Sequence, residues 1–217
     1  MSTLATMKAR IASELRRSNL TTQIADAIAT AIEAYQHERF SFNETRAITF
    51  DTVANQEFYD SNDAEALGRV RRLDYVVAEI GSSYYTLTAM TPEDIEKLNG
   101  TGAFTGQPLS YCWYQNQLRI YPVPADAYAV RLGAQVSIAA PASDTETANP
   151  WMTTAEKLIR CRAKYELFEH VLLDERMADR FAPDNPGGPT AKALDELKAR
   201  TNHLSNLGGW AITPTSF

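Results

Sequence analysis

Apolar residues change their spacing twice along this chain, and that change narrows the folds open to it. From Leu4 to Tyr35 they recur at intervals of three and four, the spacing of one helix face. From Arg39 to Ile138 the chain is rich in Thr, Tyr, Phe and Val, and apolar side chains alternate with polar ones as they do in strands. After the loop PASDTETANP the helical interval returns. Helices, then strands, then helices make an α+β protein. The expected arrangement is a helical bundle of two N-terminal and two C-terminal helices, with an inserted antiparallel β region and an extended C-terminal tail. Segments 1–38 and 150–205 are the helical core, 39–149 the β-rich insertion and 206–217 the tail, all within one domain.

The first helix carries Leu4, Met7, Ile11 and Leu15 on one stripe, with Lys8, Arg10, Arg16 and Arg17 beside or opposite it. The second starts near Thr21 or Thr22, either of which can cap it, and buries Ile24, Ile28, Ile32 and Tyr35. A helix-turn-helix reading fails because the second helix offers Asp26 and Glu33 where a DNA groove asks for cations. On the C-terminal side, Asn149-Pro150-Trp151 leads a long helix to about Arg180, with Leu158, Cys161, Tyr165, Phe168 and Leu172 on its stripe. APDNPGGP breaks it, and a last helix runs from about Thr190 to Leu204.

Expected strands span Ala47–Phe50, Val70–Ile80, Tyr84–Thr88, Ser110–Tyr114, Leu118–Tyr121 and Tyr128–Ile138. Gly81-Ser82-Ser83 turns the second into the third. Thr91-Pro92-Glu93-Asp94 caps a short helix to Leu98 that ends at Asn99-Gly100. A two-residue turn at Gln115-Asn116 sets Trp113 opposite Leu118 and Tyr111 opposite Ile120, on one apolar surface. Gln is a poor first residue for such a turn, so a longer loop stays open. Ser110, Cys112, Tyr114, Gln117, Arg119 and Tyr121 fall on the other surface, which is left to solvent or a partner. Pro122 and Pro124 cannot donate ladder hydrogen bonds and end the strand.

Composition narrows the function. With 217 residues, 44% of them hydrophobic and 22% charged, the chain is long enough and apolar enough for a core. A net charge of −6 argues against gripping nucleic acid by counterion release. No run approaches the roughly 20 apolar residues of a membrane span, and MSTLATMKARIASELRR has no signal-peptide core, so neither a membrane nor secretion is expected. Cys112 and Cys161 read as reduced, buried thiols. His37, His170 and His203 lack ligand spacing, so no metal is expected. Gly100, Gly102 and Gly106 fit neither nucleotide fingerprint, so no cofactor is expected, and there is no Gly-x-Ser-x-Gly elbow. Glu169-His170 and Asp174-Glu175 are the nearest approach to a catalytic set, and a solvated helix face accounts for them. No catalytic residue is assigned.

The order of elements nevertheless resembles a known family. A helical hairpin, RFSFNE (Arg39–Glu44), strands, TGQPLSY (Thr105–Tyr111) leading into LRIYPVP (Leu118–Pro124), and then helices are similar to the head-to-tail connectors, or adaptors, of tailed bacteriophages. The resemblance implies a structural virion protein, in which twelve copies form a ring that joins the portal to tail or nozzle proteins. It also implies that genomic DNA passes through the ring without sequence-specific binding. The site is then the head–tail junction of the virion, reached from the host cytoplasm during assembly. The C-terminal segment would reach the portal, with Leu207, Trp210, Ile212 and Phe217 in NLGGWAITPTSF as docking residues; folding back onto its own domain is the alternative. Two other functions stay open: a small carboxylate-dependent cell-wall hydrolase and a cytoplasmic oligomeric binding module.

Overall fold

The computed structural model describes residues 2–99 and 104–205, and the docking residues expected at Leu207, Trp210, Ile212 and Phe217 lie outside them. The chain mixes α-helices with mainly antiparallel sheets, in which two short pairings are parallel, and divides into two compact units. One comprises Met1–Phe42 and Ile138–Phe217, the other Asn43–Ser137.

The first unit opens with α1 (Leu4–Leu15), whose N-terminus is closed by a capping box between Thr3 and Thr6. Its C-cap, Arg16, adopts the left-handed conformation. α2 (Thr21–Ala34) follows. Thr21 begins this helix but does not cap it; Leu20 stands at the cap position and makes no side-chain bond there. The predicted stripes are buried: Met7 and Ile11 on α1, and Ile24, Ile28 and Ile32 on α2.

The second unit contains β1 (Glu44–Asp51), β2 (Phe58–Tyr59), β3 (Val70–Ile80), β4 (Ser83–Thr86), β5 (Thr88–Ala89), α3 (Pro92–Asn99), β6 (Thr105–Gly106), β7 (Ser110–Tyr114), β8 (Gln117–Tyr121), β9 (Val123–Pro124) and β10 (Ala129–Val136). One sheet has the order β1-β10-β3-β4, a second the order β2-β8-β7-β5, and β6 pairs with β9. The run expected as one strand, Tyr84–Thr88, is instead divided between two sheets. Leu87 is buried at the transfer, its N–H donating to the Val76 carbonyl at 2.9 Å. Val76, Ala78, Leu118, Ile120, Val130 and Leu132 form the centre of this core.

Returning to the first unit, the chain forms α4 (Pro150–Thr153), α5 (Glu156–Leu167), α6 (Glu175–Phe181) and α7 (Pro189–Ser205). The single long helix expected to Arg180 is therefore wrong. Thr153 Oγ1 donates back to the Asn149 carbonyl at 3.1 Å as α4 ends, a local bond that competes with helix continuation. Farther on, Phe168–Leu172 is a π-helical turn and Leu173 is left-handed at φ 52°. Asp174 then caps a new helix by accepting from the Met177 N–H.

Trp151 is the anchor of this unit. It is fully buried, its Nε1–H donates to the Ile138 carbonyl at 2.9 Å, and Phe40 and Phe42 meet its ring edge-on. Phe40 and Phe42 in turn stack on each other. The apolar residues of the RFSFNE run thus serve packing.

Candidate interaction surface

Among its exposed apolar side chains the second unit has Tyr84 and Tyr85 on the β3–β4 hairpin, Tyr114 on the β7–β8 hairpin and Leu109 in the TGQPLSY run. The hairpin of β7 and β8 has the predicted register, with Tyr111 opposite Ile120 and Trp113 opposite Leu118. Its turn contains only Gln115 and Asn116, both at positive φ (52° and 60°), so the poor propensity of Gln at this position is overridden by the strands it joins. Tyr111, Leu118 and Ile120 are buried, and Trp113 is partly so.

The other surface of this hairpin is not left open as expected. α3 lies against β7, and Cys112 and Arg119 beneath it are both buried. Arg119 donates from Nε to Glu57 and from Nη1 to Glu96, each at 2.5 Å, and Asn99 also donates to Glu57 at 3.2 Å. Burial works to lower the Arg119 pKa, but the two carboxylates outweigh it and raise the pKa. Burial pushes the Cys112 thiol up, as it does Cys161 in the other unit. A single Arg with two acids from different elements gives no spacing signal, and the sequence offered no way to find it.

TGQPLSY and LRIYPVP meet in space. Thr105 pairs with Val123 and Gly106 with Pro124, in parallel, while the Leu109 N–H donates to the Tyr121 carbonyl at 2.9 Å. The Val123 and Ala125 amides supply the ladder bonds that Pro122 and Pro124 cannot, donating to Phe104 and Gly106. Leu109 itself is 61% exposed. Beside it, an open groove of about 480 Å³ is lined by Tyr85, Thr88, Pro108 and Leu109. Among the described residues its lining contains no Asp, Glu, Lys or Arg.

A second open cleft of about 390 Å³ lies on the β1-β10-β3-β4 sheet, among Asp51, Glu79, Tyr84 and Arg131. The Arg131 guanidinium stacks on the Tyr84 ring, 4.7 Å from its centroid. Tyr84 and Tyr85 are more than half exposed.

The residues nearest to a catalytic set are placed in the first unit, where two of them have partners. Asp174 is the cap of α6, and His170 Nε2 lies 3.4 Å from Glu166, which also holds Arg162. Glu169, His170, Asp174 and Glu175 are all exposed. Among the described residues, no group of three His, Cys, Asp or Glu side chains is arranged to hold a metal ion, and no helix is long and apolar enough to cross a membrane. Gly106 belongs to the β6–β9 pair, while Gly100 and Gly102 lie outside the described residues.

The sequence model of the SU10 adaptor protein family matches residues 2–207, spanning both units. No curated protein matches the chain.

Proposed function

Because the chain belongs to the SU10 adaptor protein family, a family of phage head-to-tail adaptors, we propose that it is a structural virion protein joining the portal to the tail, without turnover. The observation that carries this reading is the match itself, which runs through helices and strands alike rather than one fragment. The finer proposal is a ring of copies, twelve in number, that continues the DNA channel from the portal toward the tail or nozzle.

Several features support it. Lys8 and Arg10 on α1 are paired with Asp144 at 2.5 Å and Glu156 at 3.0 Å, so part of the positive charge of this helix is offset by acids. In the second unit acids outnumber bases, which favours passage of DNA over its retention. The exposed tyrosines and Leu109 suit docking.

Residues 206–217 are proposed as the arm that engages the portal. Trp210 and Ile212 stand two apart, so an extended segment presents both on one face, with Leu207 and Phe217 flanking them. Removing 206–217 and mixing the product with portal-bearing heads tests this. A subunit with near-unchanged melting that no longer attaches is the expected result; attachment that survives, or a subunit that unfolds, removes the arm from the proposal.

A further inference from the structure

Among the described residues the sheet β1-β10-β3-β4 has two open edges, since β1 pairs there only with β10 and β4 only with β3. All three of its pairings are antiparallel, so with four strands β1 and β4 run in opposite directions. Copies placed side by side in one orientation therefore bring β4 of one antiparallel to β1 of the next, and the alternation continues unbroken. This is a head-to-tail contact between two different surfaces, the kind that builds rings.

The edges also match in detail. Ser83 closes the hairpin opposite Ile80, and the Leu87 N–H bonds to Val76, so alternate residues Ser83, Tyr85 and Leu87 face β3. Tyr84 and Thr86 turn their backbone groups outward. On β1, the Thr52 N–H bonds to Tyr128 and fixes the same alternation, which leaves Thr49 and Asp51 outward. Each edge thus offers two outward residues spaced two apart, and all four are exposed. β4 carries no charge to repel Asp51. The side chains of Asp51, Tyr84, Glu79 and Arg131 line one cleft on a single face of the sheet, with Arg131 over the Tyr84 ring. A neighbour's Asp51 set opposite Tyr84 would lie on that face, where Arg131 offers a cation beside Glu79.

We propose that copies of this chain join by sheet extension, Tyr84 and Thr86 of one pairing with Asp51 and Thr49 of the next. The proposal rests on the ring reading above and names its interface. Each copy then adds about 19 Å of sheet at a strand spacing of about 4.8 Å. Twelve copies would place the sheet about 37 Å from the axis, or farther if the strands tilt.

Hydrogen exchange on the full-length chain, as monomer and as assembled ring, tests it, together with Thr86→Pro and with Tyr85→Lys, which keeps every backbone N–H. The expected result is at least tenfold slower exchange of the Thr49, Asp51, Tyr84 and Thr86 amides only in the ring, with Thr86→Pro remaining a folded monomer. Tyr85→Lys should keep the protection pattern in whatever ring it forms. A ring in which these four amides exchange as fast as in the monomer overturns the interface but leaves the ring standing. Absence of any ring, alone or on portal, overturns both.

Discussion

The indole Nε1–H of Trp151 donates to the main-chain carbonyl of Ile138, 2.9 Å away, tying the start of α4 to the chain entering it from the loop at 139–149. Asn149 reinforces the same junction by accepting from the Trp151 N–H and donating to the Ala139 carbonyl. Gln36 completes it, accepting from the Ile138 N–H and donating to the Ile138 carbonyl. Trp151→Phe removes one indole hydrogen bond and part of the ring, whereas Trp151→Ala also leaves a cavity beside Phe40 and Phe42. Denaturant melts should show a loss of about 1–2 kcal/mol for the first and about 3–5 kcal/mol for the second. Equal, small losses would mean that the ring is not the anchor described.

Glu14 on α1 bonds Arg160 and accepts from Lys164 at 2.7 Å on α5. Burial works to raise its carboxyl pKa, but the two cations prevail and hold it below the usual 4.5. A depressed carboxylate stabilises the fold above its unfolded value, and that contribution is lost as pH falls through the folded value. Stability should therefore drop as pH falls below about 4.5, and the Glu14→Gln variant should show a shallower drop there. Because the pair is partly exposed, the difference at neutral pH should stay near 1 kcal/mol or less. Parallel curves for the two proteins would remove Glu14 from the acid response.

Gly133 on β10 lies under the Tyr75 ring, and a Cβ added there would sit 2.2 Å from it. Tyr75 and Gly133 are cross-strand partners, at one of two register shifts between β10 and β3. Gly133→Ala should displace the ring and cost about 1–3 kcal/mol in a thermal or denaturant melt. The Gly133→Ala/Tyr75→Ala double variant should recover part of that loss, because the ring is the obstacle. If the double variant is additive, the clash is with backbone instead.

Arg119→Ala would leave Glu57 without its main partner and open the space over Cys112. In the native protein Cys112 is buried and its pKa is raised, so a thiol reagent should label it slowly. The substitution should speed labelling at least tenfold and lower stability by about 3 kcal/mol. Unchanged labelling would show that α3 covers the hairpin without help from the ion pairs.

Much of this architecture was legible because burial imposes a period. The stripes of α1 and α2, the two-residue turn at Gln115-Asn116 and the Trp113–Leu118 and Tyr111–Ile120 pairs follow from spacing alone. Where local bonding competes with spacing, the reading failed. The back-bond of Thr153 and the cap at Asp174 divide what looked like one helix, and Leu87 carries one strand-like run across two sheets. The Arg119–Glu57–Glu96 set was invisible because it joins β8, the segment before β2 and α3, which no sequence interval connects. TGQPLSY stood out as a motif, but the exposure of Gln107 and Leu109 beside the parallel pairing of β6 with β9 could not be read from spacing. The exposed edges of β1 and β4 likewise come from strand order, which periodicity does not encode.

The central claim is that this chain is an adaptor that assembles on a portal and acts by shape. Electron microscopy of the full-length protein, alone and mixed with its cognate portal, tests it most directly. The account predicts a ring of twelve copies seated on the portal, with an open axial channel and sheet density about 37 Å or more from the axis. A portal that remains bare at saturating concentrations of folded protein would contradict it.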